Sequence, residues 1–388
     1  MSSWQPLPSA LLMQMPKTYA LAEIAAQRDA MRARGVDVLD VSLGESHLEP
    51  PAQTRDALAR ATAEVPFNRY PGPRGSPELR VVFADLYRRR YGTALDPDRE
   101  VLPLLGSKEA IVNLARAFAD REKPVYSSRV GYPVYRAAAV QAGAELSYLD
   151  GEWEDAYRPT FAGPPRRGGV AFVSSPANPT SAVLDRDTIS RFAAHCRERD
   201  VVLCFDAAYA ELSGGGAPTL AIPIIGKSGV VEFHSLSKSL SLAGWRVGFA
   251  VGDPDIIDGL ARVKAFCDAG VPSPQQGALA HLLPVCDELL DRTRQHFAAQ
   301  QRALRAALEP LALEMFESNA GMFCWLRPGR PGVEFARACL VEGVVLVPGQ
   351  VFGPGGADCV RISATLPQKR MGELADRLGR ILGEGRRD

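Results

Sequence analysis

Between residues 101 and 251, short apolar runs rich in β-branched residues alternate with stretches of helical periodicity. That alternation constrains the fold of this 388-residue chain more than any other feature. Strands separated by helices are the pattern of a mostly parallel sheet with helices packed on it. Val101 to Leu105 runs into Gly106-Ser107, after which Ala110, Ile111, Leu114 and Phe118 recur at helical spacing. This reads as a strand, a tight turn and a helix start. Val170 to Val173, Val201 to Phe205, Val230 to His234 and Val247 to Val251 are further strand candidates, with a helix around Ile189 to Arg199. Such strands end in loops along one edge of the sheet, where ligands usually sit.

The two ends of the chain read differently. The first forty residues predict an extended arm and then a helix from about Tyr19 to Arg34, stopped by Gly35. After about Val285 a long helix, Asp287 to Ala307, leads to strands at Met322 to Leu326, Val344 to Val347 and Val360 to Ile362, then to a terminal helix from Gln368 to Leu382. The expected division is residues 1–45 as an arm and helix joining the small domain, 46–285 as a large domain, and 286–388 as a small α+β domain.

Charge narrows the partners. The 45 Lys and Arg balance 45 Asp and Glu, with no strong basic block of the kind that binds nucleic acid or an anionic membrane. Nowhere do about 18 consecutive apolar residues occur, as a membrane span needs, and the N-terminus lacks the charged-then-apolar order of a secretion signal. Cys196, Cys204, Cys267, Cys286, Cys324, Cys339 and Cys359 are odd in number, scattered and never spaced as CxxC. They are expected to be reduced, mostly core residues of a cytoplasmic protein. The five histidines form no pair at metal-ligand spacing, so no metal site is expected. Small molecules are the expected partners.

Chemistry concentrates in one stretch, Ser235-Leu236-Ser237-Lys238-Ser239-Leu240-Ser241-Leu242-Ala243-Gly244-Trp245-Arg246-Val247-Gly248. A lysine stands just beyond a buried strand, ringed by hydroxyls, with an arginine eight residues on. An amine attacks a carbonyl only when neutral, so a Schiff-base lysine needs a desolvated site, often with a nearby cation. Hydroxyls with a guanidinium also anchor a phosphate dianion. Both needs meet in one cofactor.

This stretch resembles the pyridoxal-phosphate lysine signature of the class I/II aminotransferases, S-x-S-K-x-x-x-x-x-G-x-R-x-G, at every fixed position. The resemblance implies the fold type I architecture: an α/β large domain with a mostly parallel sheet between helices, plus a smaller α+β domain. It also implies pyridoxal 5'-phosphate held by Lys238 as a Schiff base, near Ser235, Ser237 and Arg246. Asp206-Ala207-Ala208-Tyr209 resembles the family's strand end in which the aspartate pairs with the pyridine nitrogen and the tyrosine with the phenolic oxygen. An aspartate at a strand end can also simply cap a helix. Ser175 to Thr180 looks like the family's N-x-P-x-N-P-T-G turn, with Asn178 as a second donor to the phenolic oxygen. Ser174 and Ser181 depart from that pattern, standing where the family has Asn and Gly.

Gly106, Ser107 and Lys108 open a helix directly after a strand, so backbone N–H groups can receive the phosphate. That matches the family's phosphate cup, although Ser107 could equally be a plain helix cap; Lys108 is expected to face solvent. Tyr132, in Gly131 to Tyr135, resembles the aromatic that stacks on the pyridine ring. The Asn68 to Pro71 loop and the Gly75 to Arg80 helix start resemble segments from which Tyr70 would reach the neighbouring subunit's phosphate, implying a homodimer. Arg361, in Val360-Arg361-Ile362-Ser363, resembles the arginine that grips the substrate α-carboxylate, and Gly44 and Asn178 would lie beside it. The Gly106 to Ala110 and Tyr70 to Arg80 runs are most similar to enzymes acting on diaminopimelate-type substrates.

Together these features imply an aminotransferase moving an amino group between an amino acid and a 2-keto acid. A lyase, decarboxylase or cyclising enzyme on the same fold is the alternative, because fold does not settle reaction type. Glu45-Ser46-His47-Leu48-Glu49 keeps it open: it replaces the family's usual Pro-Asp stretch, and His47 is either an added acid/base group or a solvated loop residue. A cofactor-sensing DNA-binding regulator does not fit the roughly forty residues ahead of Gly44, which are not strongly basic. Ala221 to Ser228 falls short of a nucleotide phosphate loop, lacking the first glycine and leading into a strand.

Overall fold

Apolar runs in the middle of the chain pair into one eight-stranded sheet in the computed structural model, which describes residues 7–64, 66, 68–214, 216 and 218–384. The first strand, β1 (Leu39–Asp40), stands apart. The sheet comprises β2 (Val101–Leu104), β3 (Val125–Ser128), β4 (Leu146–Asp150), β5 (Thr160–Phe161), β6 (Val170–Ser174), β7 (Val202–Asp206), β8 (Val230–Ser235) and β9 (Gly248–Gly252). Their spatial order is β2-β9-β8-β7-β6-β3-β4-β5. The central pairings from β4 through β3, β6 and β7 to β8 are parallel; β8/β9, β9/β2 and β4/β5 are antiparallel. β9 runs backwards because only short helical turns, Leu236–Ser239 and Ala243–Trp245, separate it from β8. A parallel return needs a longer crossover.

Two reversals restore direction, so β2 again runs parallel to β8. Leu104 and Ser235 both pair with Gly248, in one row across three strands. The last residues of β2, β6, β7 and β8 therefore reach the same edge. Gly248 permits this closeness: a Cβ there would lie 2.4 Å from the His234 carbonyl oxygen and 3.3 Å from Ser107 N.

Strand side chains alternate between two packed layers. Phe205 and Phe249 face a layer with Leu79, Phe83 and Leu279, whereas Phe172 and Phe233 face Ile111, Leu114 and Leu260. The helix Pro77–Tyr91 starts as its sequence dictates, with Ser76 accepting from Leu79 N at 3.2 Å and proline in the first turn, and it stops at Gly92 with φ +77°. Sequence periodicity left β3 and β4 unrecognised, because Tyr126-Ser127-Ser128 and Ser147-Tyr148 interrupt the apolar runs.

The C-terminal part carries its own antiparallel sheet, in the order β10 (Glu314–Met315), β11 (Phe323–Arg327), β14 (Val360–Ser363) and β13 (Val347–Pro348). The single strand expected over 344–347 is two: β12 (Val344–Val345) pairs in parallel with β1, and β13 pairs with β14. One extended run thus serves two sheets, with buried Leu346 between them. Through β1 the N-terminal segment joins this unit, where Leu39 and Val41 pack with Leu304, Leu326 and Val360. The helices Ala20–Ala33, Asp287–Leu308 and Met371–Glu384 lie close to the expected spans, with 368–370 a 3₁₀ turn rather than α-helix. The ends of the N-terminal arm and of the C-terminal unit, residues 1–6 and 385–388, lie outside the described residues. All seven cysteines are free, and Cys267 departs from the core expectation by being exposed. Among the described residues no helix is long and apolar enough to cross a membrane.

Candidate active site

Backbone N–H groups come first. The helix Ser107–Phe118 starts at Gly106, whose φ of +76° favours glycine and which supplies no side-chain cap, so the first-turn donors remain unpartnered by a cap. A Cβ on Gly106 would sit 2.8 Å from Arg246 Nη2, so the missing side chain lets the guanidinium approach the helix start. Arg246 itself adopts φ +54°, a left-handed conformation costing a non-glycine residue about 1–2 kcal/mol, and its Nη1 donates to the Ala243 carbonyl at 2.9 Å. Backbone donors, helix dipole and guanidinium together make an anion cradle. Lys108 is exposed, as expected, but does not point idly into solvent: its ammonium lies 4.3 Å from the centroid of the Tyr19 ring and helps wall the cavity.

Lys238 projects from the turn that follows β8. Ser235 caps that turn by accepting from Ser237 N at 3.3 Å, and Ser239 Oγ donates to the Ser235 carbonyl at 3.2 Å. Burial pushes the Lys238 amine down to about 8; the nearby Arg246 and Arg361 push the same way, against the Glu45 carboxylate. A far larger fraction of the amine than in an ordinary lysine is therefore neutral near pH 7, although most of it is still protonated there.

Asp206 ends β7, buried, accepting from the Tyr135 hydroxyl at 2.6 Å and from Ala208 N at 3.2 Å. Burial raises its carboxyl, while those two donors and nearby His234 oppose the rise. Such a carboxylate is stabilised by a cation placed opposite it. Tyr135 is itself fixed by stacking on Phe172, with centroids 5.0 Å apart and planes 2° apart. Tyr209 and Tyr132 also reach the cavity, and burial holds both phenols above their usual range.

Opposite them lies Arg361 on β14, only 1% exposed. Its Nη1 donates to Asn178 Oδ1 at 2.8 Å and its Nη2 to the Ser42 carbonyl at 2.6 Å, while Nε has no partner among the described residues. The guanidinium carbon lies 4.1 Å from the centroid of Phe323 and 4.9 Å from that of Phe352, so two rings fix its plane. Burial lowers it to about 10, which keeps it charged at neutral pH. Because Asn178 Oδ1 accepts from Arg361, the amide nitrogen is left to donate elsewhere. A Cβ on Gly44 would come within 3.8 Å of Arg361 Nη1, so glycine leaves open the space beside the fork.

Gly44, Gly106, Ser107, Lys108, Tyr132, Asn178, Asp206, Tyr209, Ser235, Ser237, Lys238, Arg246 and Arg361 thus surround one cavity of about 430 Å³. Tyr70 does not: it is 93% exposed and absent from the cavity wall. Nor does His47, whose imidazole lies against His296. Sequence reasoning missed Tyr19, Ser42, Glu45 and Tyr135. Tyr135 stood in the quoted Gly131 to Tyr135 segment without a role; nothing around Tyr19 distinguishes it until the arm is folded back. Among the described residues no cluster of three or more His, Cys, Asp or Glu could hold a metal ion.

Sequence comparison decides the family: the profile of "Aminotransferase class I and II" matches residues 36–378. The chain belongs to the class I and II aminotransferases. Relatives include the LL-diaminopimelate aminotransferases of Syntrophobacter fumaroxidans, 33% identical over 94% of this chain and 96% of that one, and of Aquifex aeolicus, 31% identical over 93% and 95%. Among solved structures, apo-BacF from Bacillus subtilis superposes with a TM-score of 0.91 at 24% identity, covering 97% of this chain and 98% of that one. A probable N-succinyldiaminopimelate aminotransferase from Thermus thermophilus gives 0.83 at 29%, covering 93% and 99%. This aminotransferase depends on pyridoxal phosphate. The cavity's donor set fits that group: an uncapped helix start with a guanidinium for a phosphate, an amine of lowered basicity for an aldehyde, and a buried carboxylate for a cationic ring nitrogen.

Proposed function

We propose that this aminotransferase acts through Lys238 on an amino acid whose far end carries a second ammonium and carboxylate, of the diaminopimelate type. The carrying observation is that one cavity wall joins Arg361 to a further cation, Lys108, and a further anion, Glu45. Arg361 would orient the α-carboxylate as a bidentate fork. Lys108 and Glu45 then offer opposite charges to a distal carboxylate and ammonium, a match a simple monocarboxylate leaves unused. The names of the LL-diaminopimelate relatives agree with this reading.

Pyridoxal phosphate, when bound, supplies an aldehyde that takes up the amino group and a cationic ring that accepts the electron pair released at the substrate Cα. Lys238 would hold that aldehyde; once displaced by the incoming amine, its Nζ would be the base suited to take up and hold the substrate's α-proton. Asp206, aimed by Tyr135, would keep the ring nitrogen protonated. Asn178 and Tyr209 would donate to the phenolic oxygen, Tyr132 would stack on the ring, and the Gly106 to Lys108 backbone with Ser235, Ser237 and Arg246 would hold the phosphate. His47 makes no wall of this cavity, which leaves the lyase or cyclase alternative without the added acid/base group that kept it open.

Exposure of Tyr70 and of its loop supports a homodimer in which Tyr70 completes the partner's phosphate site. The reduced cysteines support a cytoplasmic location. Residues 1–45, 46–285 and 286–388 are assigned as arm, large domain and small domain, in keeping with the β1/β12 pair and the separate β10–β14 sheet.

A half-reaction screen tests the proposal. Holoenzyme mixed with LL-diaminopimelate and no acceptor should lose aldehyde absorbance, gain amine-form absorbance and release one equivalent of keto acid. K108M should weaken that donor about tenfold while leaving alanine unaffected, and E45Q should weaken it about tenfold relative to alanine. Alanine or aspartate reacting faster than diaminopimelate would overturn the substrate assignment but not the transamination. Acceptor-free ammonia or carbon dioxide release would overturn both.

A further inference from the structure

His47 and His296 are 249 positions apart in the chain, yet their Nε2 atoms lie 3.2 Å from each other. Their ring centroids are 5.1 Å apart with planes tilted by 56°. His47 is exposed on the loop that begins with Gly44 and Glu45; His296 is half-buried on the helix Asp287–Leu308. Phe297 lies 6.0 Å from the first ring and 5.4 Å from the second, giving the pair an apolar floor. Among the described residues neither imidazole makes another side-chain hydrogen bond.

We propose that His47 and His296 form a two-histidine site for a divalent transition-metal ion of the zinc class, beside the substrate cavity. Zinc–imidazole bonds of 2.0–2.1 Å at a tetrahedral angle set the two nitrogens about 3.3 Å apart, close to the spacing already present. Imidazole pairs select borderline ions such as Zn²⁺, Ni²⁺ or Cu²⁺ over Mg²⁺ and Ca²⁺, which prefer oxygen. The open side of His47 leaves water to fill the remaining positions. Without metal, one neutral ring donates its Nε2–H to the other. Metal binding requires both Nε2 lone pairs, so the donor ring moves its proton to Nδ1, and two metal-bound waters leave with no net proton release between neutral rings.

The consequence is mechanical. An ion bridging the rings fastens the loop carrying Gly44 and Glu45 to the long helix, and those two residues are cavity walls. Metal occupancy would therefore slow amino transfer by stiffening one side of the substrate site.

Chelator-washed holoenzyme, dialysed to equilibrium against zinc chloride with the bound metal counted, tests this directly. Wild type should hold one zinc per subunit, and H47Q and H296Q should each bind it at least about tenfold more weakly, since even loss of an outer partner costs 10–100-fold. Magnesium chloride should give no uptake. Zinc should slow the half-reaction of wild type and not of H296Q. No zinc uptake by wild type, or uptake by either variant with the wild-type affinity, which would locate the ion at the cofactor or elsewhere, overturns the site.

Discussion

Walls that belong to the eight-stranded sheet and walls that lie beyond it enclose the same cavity, but they draw on the chain in opposite ways. Ser235, Ser237, Lys238 and Arg246 come from one continuous stretch, and Gly106, Ser107 and Asp206 from ends of strands in register with it. Tyr19, Ser42, Asn178 and Arg361 come from four separate segments that meet only once the C-terminal sheet is in place. The first side is positioned by backbone pairing. The second is positioned by side chains reaching across: Arg361 bonds residue 178 on one side and residue 42 on the other. A perturbation on the sheet side should therefore abolish chemistry while sparing architecture, and one on the far side should degrade selectivity and docking together.

The largest effect should come from the sheet side. K238A is expected to lower turnover by more than about 10³-fold, at the top of the range for losing a positioned general base, with little change in thermal stability. Steady-state rates and a melting curve check it. A variant that loses stability as well would erase the contrast between the two sides.

Next comes R361K, on the far side. Lysine cannot reproduce the planar fork, and its shorter reach cannot satisfy both Asn178 and the Ser42 carbonyl. We expect kcat/KM for the amino donor to fall roughly 10- to 100-fold, mostly in KM, from the loss of one or two charge-assisted bonds. Melting temperature should fall too, because Ser42 and Asn178 lose a buried partner. An unchanged melting temperature would mean that the far side is as independently built as the sheet side.

Legibility in the sequence follows the same division. The α/β alternation and the 235–248 stretch were readable because backbone pairing makes sequence neighbours into spatial neighbours. Asp206 and the Gly106 turn were readable at strand ends for the same reason. Tyr19 and Ser42 were not: their roles depend on where the arm lies against Tyr132 and Arg361, and no local periodicity encodes that. His47 and His296 were invisible as a pair for the same reason. β3 and β4 escaped because serines and tyrosines interrupt them, although the sheet's interior tolerates those residues once their backbones are paired.

A smaller effect sharpens how the two sides meet at Lys238. Its amine is lowered to about 8, so about 9% is neutral at pH 7, against roughly 0.03% for an ordinary lysine. Reconstitution of the apo-protein with pyridoxal phosphate should accelerate as pH rises through about 8 and then level off. Because the Glu45 carboxylate alone pulls the amine upward, E45Q should move that midpoint to lower pH. Stopped-flow absorbance gives both midpoints. An upward move in E45Q would mean that the loop does not face Lys238 as the geometry has it.

The smallest effect concerns Ser181, the residue standing where the family has glycine. Its φ is +58°, so it carries the left-handed strain that glycine would avoid. Its hydroxyl donates to the Phe323 carbonyl at 2.9 Å and accepts from Phe323 N at 3.3 Å, tying the Asn178 loop to β11 of the far side. Gly321 makes room for it: a Cβ there would lie 2.5 Å from Ser181 Oγ. S181A keeps the strain and loses both bonds, at about 1 kcal/mol each, so denaturant unfolding should show a loss of about 2 kcal/mol. S181G loses the same bonds but relieves about 1–2 kcal/mol of strain, and should stay within about 1 kcal/mol of wild type. If the two variants unfold alike, the hydroxyl alone matters, and the left-handed conformation at this junction is carried without cost by the surrounding contacts.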